Sequence, residues 1–340
     1  MIQTKVLYSL DDVMIQPAAV TRIRHREDIK SVYEDGYLPI FTAPMPCVVN
    51  SSQYLTYTKA RINPIIPRTE NLEKRIAFME QMDMFVAFSL DEFTSLFLMS
   101  LYDIDKVGRP IKVLIDIACG SMDALHSAIQ TAKKLYGDKM IIMSGNVANP
   151  ESFRNLARSG CDYIRCSVGS GSGCCTATYT GVYYPMASLI DECNQIKRQF
   201  YGHNLKLIAD GGITTYRDAF KALALGADYV MMGSRLCQCE DSAGEIINKE
   251  ETLTRRENKR KLYFGMASEM GSQLLGKDTS APEGMVKEYP ILEPIAKFAD
   301  KFSNYLASTM SYCNAHNLYE FIGKQTLNVI SNNAAKQFNQ

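Results

Sequence analysis

Neither sign of charge is in excess in this 340-residue chain: 37 Lys and Arg stand against 37 Asp and Glu, a formal net charge of zero. Nucleic-acid binding in bulk and polybasic attachment to a membrane both draw on surplus Lys and Arg, so neither is expected. Long apolar runs are missing as well. No stretch approaches the ~20 residues of a membrane span, and no signal-peptide hydrophobic segment is present, so the expectation is a cytoplasmic protein with no membrane partner. Histidine is scarce: His25, His126, His203 and His316 lie apart without metal-ligand spacing and are expected at surface or internally satisfied positions. The ten cysteines lack the spaced pairs of a zinc site and are too dilute for a disulfide scaffold. They read as small, reduced core residues, with room for one nucleophile. Cys237-Gln-Cys239 has no second pair and reads as incidental, and the charge-rich stretch 249–261 reads as a solvated face leading into a flap.

What is present is an ordinary globular composition, 46% hydrophobic and 22% charged, which excludes disorder. At ~150 residues per domain the length suggests two domains, but a single α/β barrel fits equally. No low-complexity tract or linker divides the chain. Instead, short apolar runs recur at 38–42 (LPIFT), 62–66 (INPII), 84–88 (MFVAF), 112–117 (KVLIDI), 140–144 (MIIMS), 162–167 (DYIRCS), 205–209 (LKLIA) and 228–232 (DYVMM). Their hydrophobicity is continuous rather than alternating, as strands buried on both faces of a parallel sheet require. Helical patterns separate them, clearest at 69–79, 121–135, 150–159 and 215–225. Ser121, Asn149 and Thr214 or Thr215 are the expected N-caps, Pro150 opens its helix, and Gly160 and Gly226 follow two helix ends. Eight strand–helix units predict a closed (β/α)₈ TIM barrel over residues 1–340, with a doubly wound open sheet as the alternative.

In a barrel the active site lies just past the C-terminal strand ends. Those positions hold Pro44-Met45, Pro67-Arg68, Ser89, Asp116, Gly145-Asn146, the run Gly169-Ser-Gly-Ser-Gly-Cys-Cys-Thr176, Asp210-Gly-Gly212 and Gly233-Ser234. Glycines let backbone amides reach an anion, or carbonyls a cation. Cys174 within that cradle sits where N–H dipoles favour the thiolate. The seventh and eighth loops of such barrels often share a phosphate site, and Asp210 beside them is suited to a ribose diol.

These residues resemble a known family. The run 169–176 followed by Thr180-Gly-Val-Tyr-Tyr-Pro185 is similar to the signature loop of the inosine monophosphate dehydrogenase and guanosine monophosphate reductase family. Leu10-Asp-Asp-Val-Met-Ile-Gln-Pro17, 38–45, Asp116-Ile-Ala-Cys-Gly120, Ser144-Gly-Asn-Val147, 209–212, 230–234, Tyr263-Phe-Gly-Met-Ala-Ser268 and Ala281-Pro-Glu-Gly284 follow in the family's order. The resemblance implies that Cys174 attacks carbon 2 of a purine nucleotide, with Thr176 and Glu283 as the proton relay. It implies that Ser172, Gly212, Gly233, Ser234 and Tyr263 hold the phosphate, that Asp210 holds the ribose, and that Met266 lies against the base, with Gly211, Gly265, Ala267 and Gly284 completing the substrate set. Asp116, Val168 and Gly169 would meet the nicotinamide cofactor, NADPH with NADH or NAD as alternatives. Carbonyls of Gly169, Gly171 and Cys174 would hold a monovalent cation, K⁺ in the family, and a homo-oligomer, a tetramer, is implied.

Within the family this chain looks closer to the reductases. Ile66 passes through one helix to Met84, leaving no room for the dehydrogenases' regulatory insertion, and the flap at about 270–290 is short. Its residues 270–282 contain neither Arg nor Tyr, the pair that activates water in the dehydrogenases. The expected reaction is reductive deamination of GMP to IMP and ammonia; IMP dehydrogenation and a nucleotide-binding barrel without turnover are the alternatives. Several positions depart from the pattern. Pro67-Arg68 stands where reductases carry His-Lys, Cys175 replaces Thr, Ala177 replaces Arg, and Pro46 replaces an acid. Ser280 stands in place of an arginine, which weakens the preference for NADPH over NADH.

Overall fold

The computed structural model describes residues 4–202, 204–248 and 259–337; His203 and most of the 249–261 stretch lie outside them. Eight parallel strands form one sheet: Ile40–Thr42, Ile65–Ile66, Phe85–Phe88, Ile111–Asp116, Met140–Val147, Tyr163–Cys166, Lys206–Asp210 and Tyr229–Met232. Each arises from one of the eight apolar runs. Strand one pairs with strand eight, and the order then descends to strand two.

Closure between strands one and two uses an unusual device. Pro64 has no N–H to give, which shortens the second strand. Asn63 takes over: its N–H donates to the Ile40 carbonyl at 3.0 Å, and its own carbonyl accepts from Thr42 N–H at 3.0 Å. The amide of Ile65 then donates to Thr42 Oγ1 at 2.9 Å. The result is a (β/α)₈ TIM barrel. The open-sheet alternative is set aside.

Side chains alternate along each strand between two clusters. Phe41, Ile65, Phe85, Leu114, Met143, Ile208 and Met231 belong to the inner one, whereas Ile40, Ile66, Val86, Val113, Ile142, Leu207 and Val230 join the layer beneath the helices. Tilted and edge-to-face rings of Phe41, Phe85, Tyr163 and Tyr229, with centroids 4.7–6.2 Å apart, fill the lower barrel. Each such pair contributes about 0.5–1.5 kcal/mol beyond its buried area.

The helices largely follow the sequence pattern. Pro150–Arg158 is capped by Asn149, and Tyr216–Leu225 opens with a capping box between Thr215 and Asp218. Gly160 at φ +97° and Gly226 at φ +123° follow these two helices in the left-handed half of backbone space. Two expected starts are corrected. The helix expected from 69 begins at Leu72, because Asn71 accepts from the amides of Glu73 and Lys74. The helix expected from 121 is Asp123–Tyr136, and Ser121 is not its cap because its hydroxyl is spent on Ser152 at 2.8 Å.

Two long helices that complete the ring were not among the expected four: Met186–Phe200 after strand six, and Ile295–Tyr312, the last barrel helix. An insertion precedes the latter. It is an antiparallel sheet of Ile246–Asn248, Lys259–Phe264 and Val286–Pro290, with the helix Glu269–Leu274 between its last two strands. Lys261 in that sheet is buried, and its ammonium donates to the Ser242 carbonyl at 2.6 Å and hydroxyl at 2.9 Å, which fastens the insertion to the barrel. A separate two-stranded sheet pairs Val13–Ile15 antiparallel with Leu327–Val329.

Eight of the ten cysteines are buried; Cys119 is exposed and Cys174 half-buried, and none of the ten is in a disulfide. Among the described residues, no three His, Cys, Asp or Glu side chains come together as a metal site, and no helix is long and apolar enough to cross a membrane.

Candidate active site

A cavity of about 430 Å³ opens at the C-terminal strand ends. Its wall contains Cys174, Thr176 and Glu283; Ser172, Asp210, Gly211, Gly212, Gly233, Ser234, Tyr263, Gly265, Met266 and Ala267; Asp116, Val168, Gly169 and Gly171. Gly284 is not part of the lining. It forms an antiparallel bridge with Cys174, and a Cβ there would stand 2.6 Å from the Ser268 nitrogen.

The loop after strand six holds its shape through its own backbone. Cys174 N–H donates to the Gly171 carbonyl at 2.9 Å, and the Ser167 and Ser170 hydroxyls are bonded to each other. Gly211 at φ +106° brings the seventh loop against it: a Cβ would lie 3.2 Å from the Gly171 nitrogen. The two loops thus pack together, and both contribute residues to the cavity wall.

Above this surface the insertion closes down. Met285 N–H donates to the Gly173 carbonyl at 3.0 Å, and Cys175 N–H to the Glu283 carbonyl at 2.6 Å. Contact is tight enough that a Cβ on Gly265 would sit 2.6 Å from the Gly173 oxygen. Across this seam runs a line of three side chains. Cys174 Sγ lies 3.3 Å from Thr176 Oγ1, and the Thr176 hydroxyl donates to Glu283 Oε2 at 2.6 Å. A thiol nucleophile therefore has a hydroxyl–carboxylate pair within proton-transfer reach. Tyr263 is brought in by the strand Lys259–Phe264, where burial pushes its phenol pKa up while the Ser172 hydroxyl pulls the other way.

The floor of the cavity is an ionic layer. Asp116, Arg165 and Asp210 stand two residues beyond Leu114, Tyr163 and Ile208, hence on the same inward face one layer higher. Arg165 Nη1 lies 2.7 Å from Asp116 Oδ1, and its Nε and Nη2 each lie 2.8 Å from Asp210 Oδ2. Asn146 Nδ2 donates to the same Asp210 oxygen at 2.8 Å, and Arg68 Nε lies 3.1 Å from Asp116 Oδ2. Burial alone would lower the Arg165 pKa; Asp210 and Asp116 outweigh it and raise it. Asn146 and Arg68 stand at predicted strand ends, but neither they nor Arg165 were in the expected site set. The signal for Arg165 was one cation inside an otherwise apolar strand, at an inward position.

Comparison with known proteins places the chain in a family. The family model described as IMP dehydrogenase / GMP reductase domain matches residues 106–339. The chain belongs to this family. Strands four to eight, the signature loop and the insertion all fall inside the match, while 10–17 and 38–45 lie ahead of it. Among similar proteins, GMP reductase 2 of Mus musculus is 31% identical over 217 residues, covering 63% of this chain and 60% of that protein. Inosine-5'-monophosphate dehydrogenase of Nitrosopumilus maritimus is 32% identical over 218 residues, 61% of this chain and 44% of that protein. GMP reductase of Escherichia coli O139:H28 is 32% identical over 230 residues, 67% and 63% respectively. The matched part of the chain thus spans less than two thirds of the length of these relatives, and reductases and dehydrogenases are equally similar to it.

Proposed function

We propose that this protein is a purine-nucleotide oxidoreductase that converts GMP to IMP and ammonia. The reading rests on the Cys174–Thr176–Glu283 line, 3.3 and 2.6 Å in its two steps, inside a cavity that also gathers glycine amides and Asp210. The phosphate is held by amides of Gly212 and Gly233 with the hydroxyls of Ser172, Ser234 and Tyr263, which is how a chain of zero net charge accommodates an anion. Asp210 accepts from the ribose hydroxyls and Met266 lies against the base.

The Cys174 thiolate adds to carbon 2 of the purine. Glu283, through the Thr176 hydroxyl, delivers the proton that lets the 2-amino group leave as ammonia, and a thioimidate remains on Cys174. A reduced nicotinamide dinucleotide, when bound, supplies the hydride at that carbon. IMP then departs as the carbon–sulfur bond breaks and Cys174 recovers its thiolate. Arg68 and Arg165 occupy both oxygens of Asp116, and Asp116 would be open to a cofactor hydroxyl only where Arg68, the more exposed of the two, gave way. Val168 and Gly169 flank that position. Carbonyls of Gly169, Gly171 and Cys174 are oxygen donors of the kind K⁺ prefers, and the Gly171 carbonyl keeps one lone pair after its bond to Cys174. A cytoplasmic homo-oligomer accords with this reading.

The absence of Arg and Tyr from 270–282 supports reduction over dehydrogenation, because the short segment ahead of Glu283 holds no water-activating pair of that kind. The test is to follow reduced-cofactor absorbance. GMP with NADPH, or NADH, should lose it. NADH formation from IMP and NAD with no reaction of GMP would assign the dehydrogenase instead, and tight GMP binding without turnover would leave a binding module.

A further inference from the structure

We propose that Arg165 is the positioning residue that makes this site selective for ribonucleotides over 2'-deoxyribonucleotides. The inference rests on the reading of Asp210 as the ribose partner and adds a residue to it. Arg165 is only 8% exposed, yet all three of its nitrogens are committed to two carboxylates from different strands. A guanidinium is a rigid plane, so bonds from Nε and Nη2 to one oxygen and from Nη1 to another acid fix both acids at once. Asp116 is itself pinned from the other side by Arg68 at 3.1 Å, which makes it the anchor of the plane.

The consequence falls on Asp210. Its Oδ2 takes Arg165 Nε, Arg165 Nη2 and Asn146 Nδ2, whereas its Oδ1 has no protein donor among the described residues. The carboxylate therefore cannot rotate without breaking three bonds, and its open oxygen keeps one direction. A diol meeting that oxygen finds a pre-oriented acceptor, and a sugar missing one hydroxyl leaves it short of a donor. A lysine at this place would be a single point charge unable to span both acids, so Asp210 would be held chiefly by Asn146 and would turn more easily.

The experiment is calorimetric titration of the full-length chain, without any dinucleotide, with GMP and with 2'-deoxy-GMP. The unaltered protein is expected to prefer GMP by on the order of 10- to 100-fold, the weight of one charge-assisted hydrogen bond. In Arg165→Lys the preference should fall to about threefold or less, chiefly through weaker GMP binding. Asp116→Asn, which loosens the anchor without touching Asp210, should lower it by a smaller factor and decides the matter if Arg165→Lys fails to fold. Equal loss of both nucleotides, or an undiminished preference in the variants, would overturn the positioning role while leaving the ribose reading intact. Absence of any preference in the unaltered protein would instead remove Asp210 as ribose partner.

Discussion

The groups assigned to the ribose all hang from the barrel, whereas the acid–base line is divided between the barrel and the insertion. Asp210, Asn146 and Arg165 sit at the ends of neighbouring strands and are tied to one another by side-chain bonds of 2.8 Å. Thr176 follows strand six, but Glu283 arrives from the far end of the insertion and is held by backbone contacts across the seam, Cys175 N–H to its carbonyl at 2.6 Å and Met285 N–H to Gly173 at 3.0 Å. The cradle is preorganised by the fold itself, and the chemistry depends on docking. Removing a side chain of the acid–base line should therefore separate turnover from affinity, whereas lifting the insertion also withdraws Tyr263 and Met266.

The largest separation belongs to the nucleophile. Cys174→Ala should lower kcat by about 10⁴-fold or more while leaving the GMP dissociation constant within a few-fold, measured by steady-state assay and titration on the same preparation. Glu283→Gln comes next. Loss of the proton donor should cost about 10²- to 10⁴-fold in kcat, again with nearly intact binding, since its side chain is bonded to Thr176. Equal effects on kcat and affinity in either variant would erase the division between cradle and relay.

A purely geometric break sharpens the comparison. Gly265→Ala puts a Cβ 2.6 Å from the Gly173 carbonyl and should lift the insertion off the loop. A displacement near 1 Å is expected to reduce kcat by about 10²-fold, with the barrel's thermal midpoint little changed. The smallest effect concerns the segment that leads from the insertion into the last barrel helix. Glu293 is bonded to Arg235 and Lys301; burial raises its pKa, but these two hydrogen bonds and charges outweigh it and hold it below the ordinary carboxylate value. A pKa depressed in the folded state stabilises above the unfolded value of ~4.3 and is lost as pH falls through the folded value. Glu293→Gln should thus flatten the acid limb of stability against pH, read by denaturant unfolding from pH 6 downward.

How legible each region was follows from how locally its signal is written. All eight barrel strands could be read because strands covered on both faces are continuous apolar runs, and the later loops of the candidate site because glycine concentrates in them. Closure was expected from the count of eight units, but its means is not written in the pattern, because it depends on Asn63 and Thr42 standing in for the ladder bond that Pro64 cannot make. Lys259–Phe264 begins Lys-Arg-Lys and read as part of a solvated face, yet it is a strand whose inward Lys261 and Tyr263 are buried. The motif residues of the insertion, Tyr263 and Glu283, were recognisable; the sheet that carries them to the barrel was not. Arg165 is hard to read from sequence because a single charge in an apolar run acquires meaning only from Asp116 and Asp210, which the fold brings to either side of it.

The central claim is that Cys174 carries out a deamination at this cavity, and product stoichiometry tests it most directly. GMP and a limiting amount of NADPH (or NADH) should yield one IMP and one ammonia per dinucleotide oxidised, quantified by chromatography and an ammonia assay, and none of either with Cys174→Ala. Dinucleotide oxidation without ammonia, or ammonia formed at an undiminished rate by Cys174→Ala, would contradict the account.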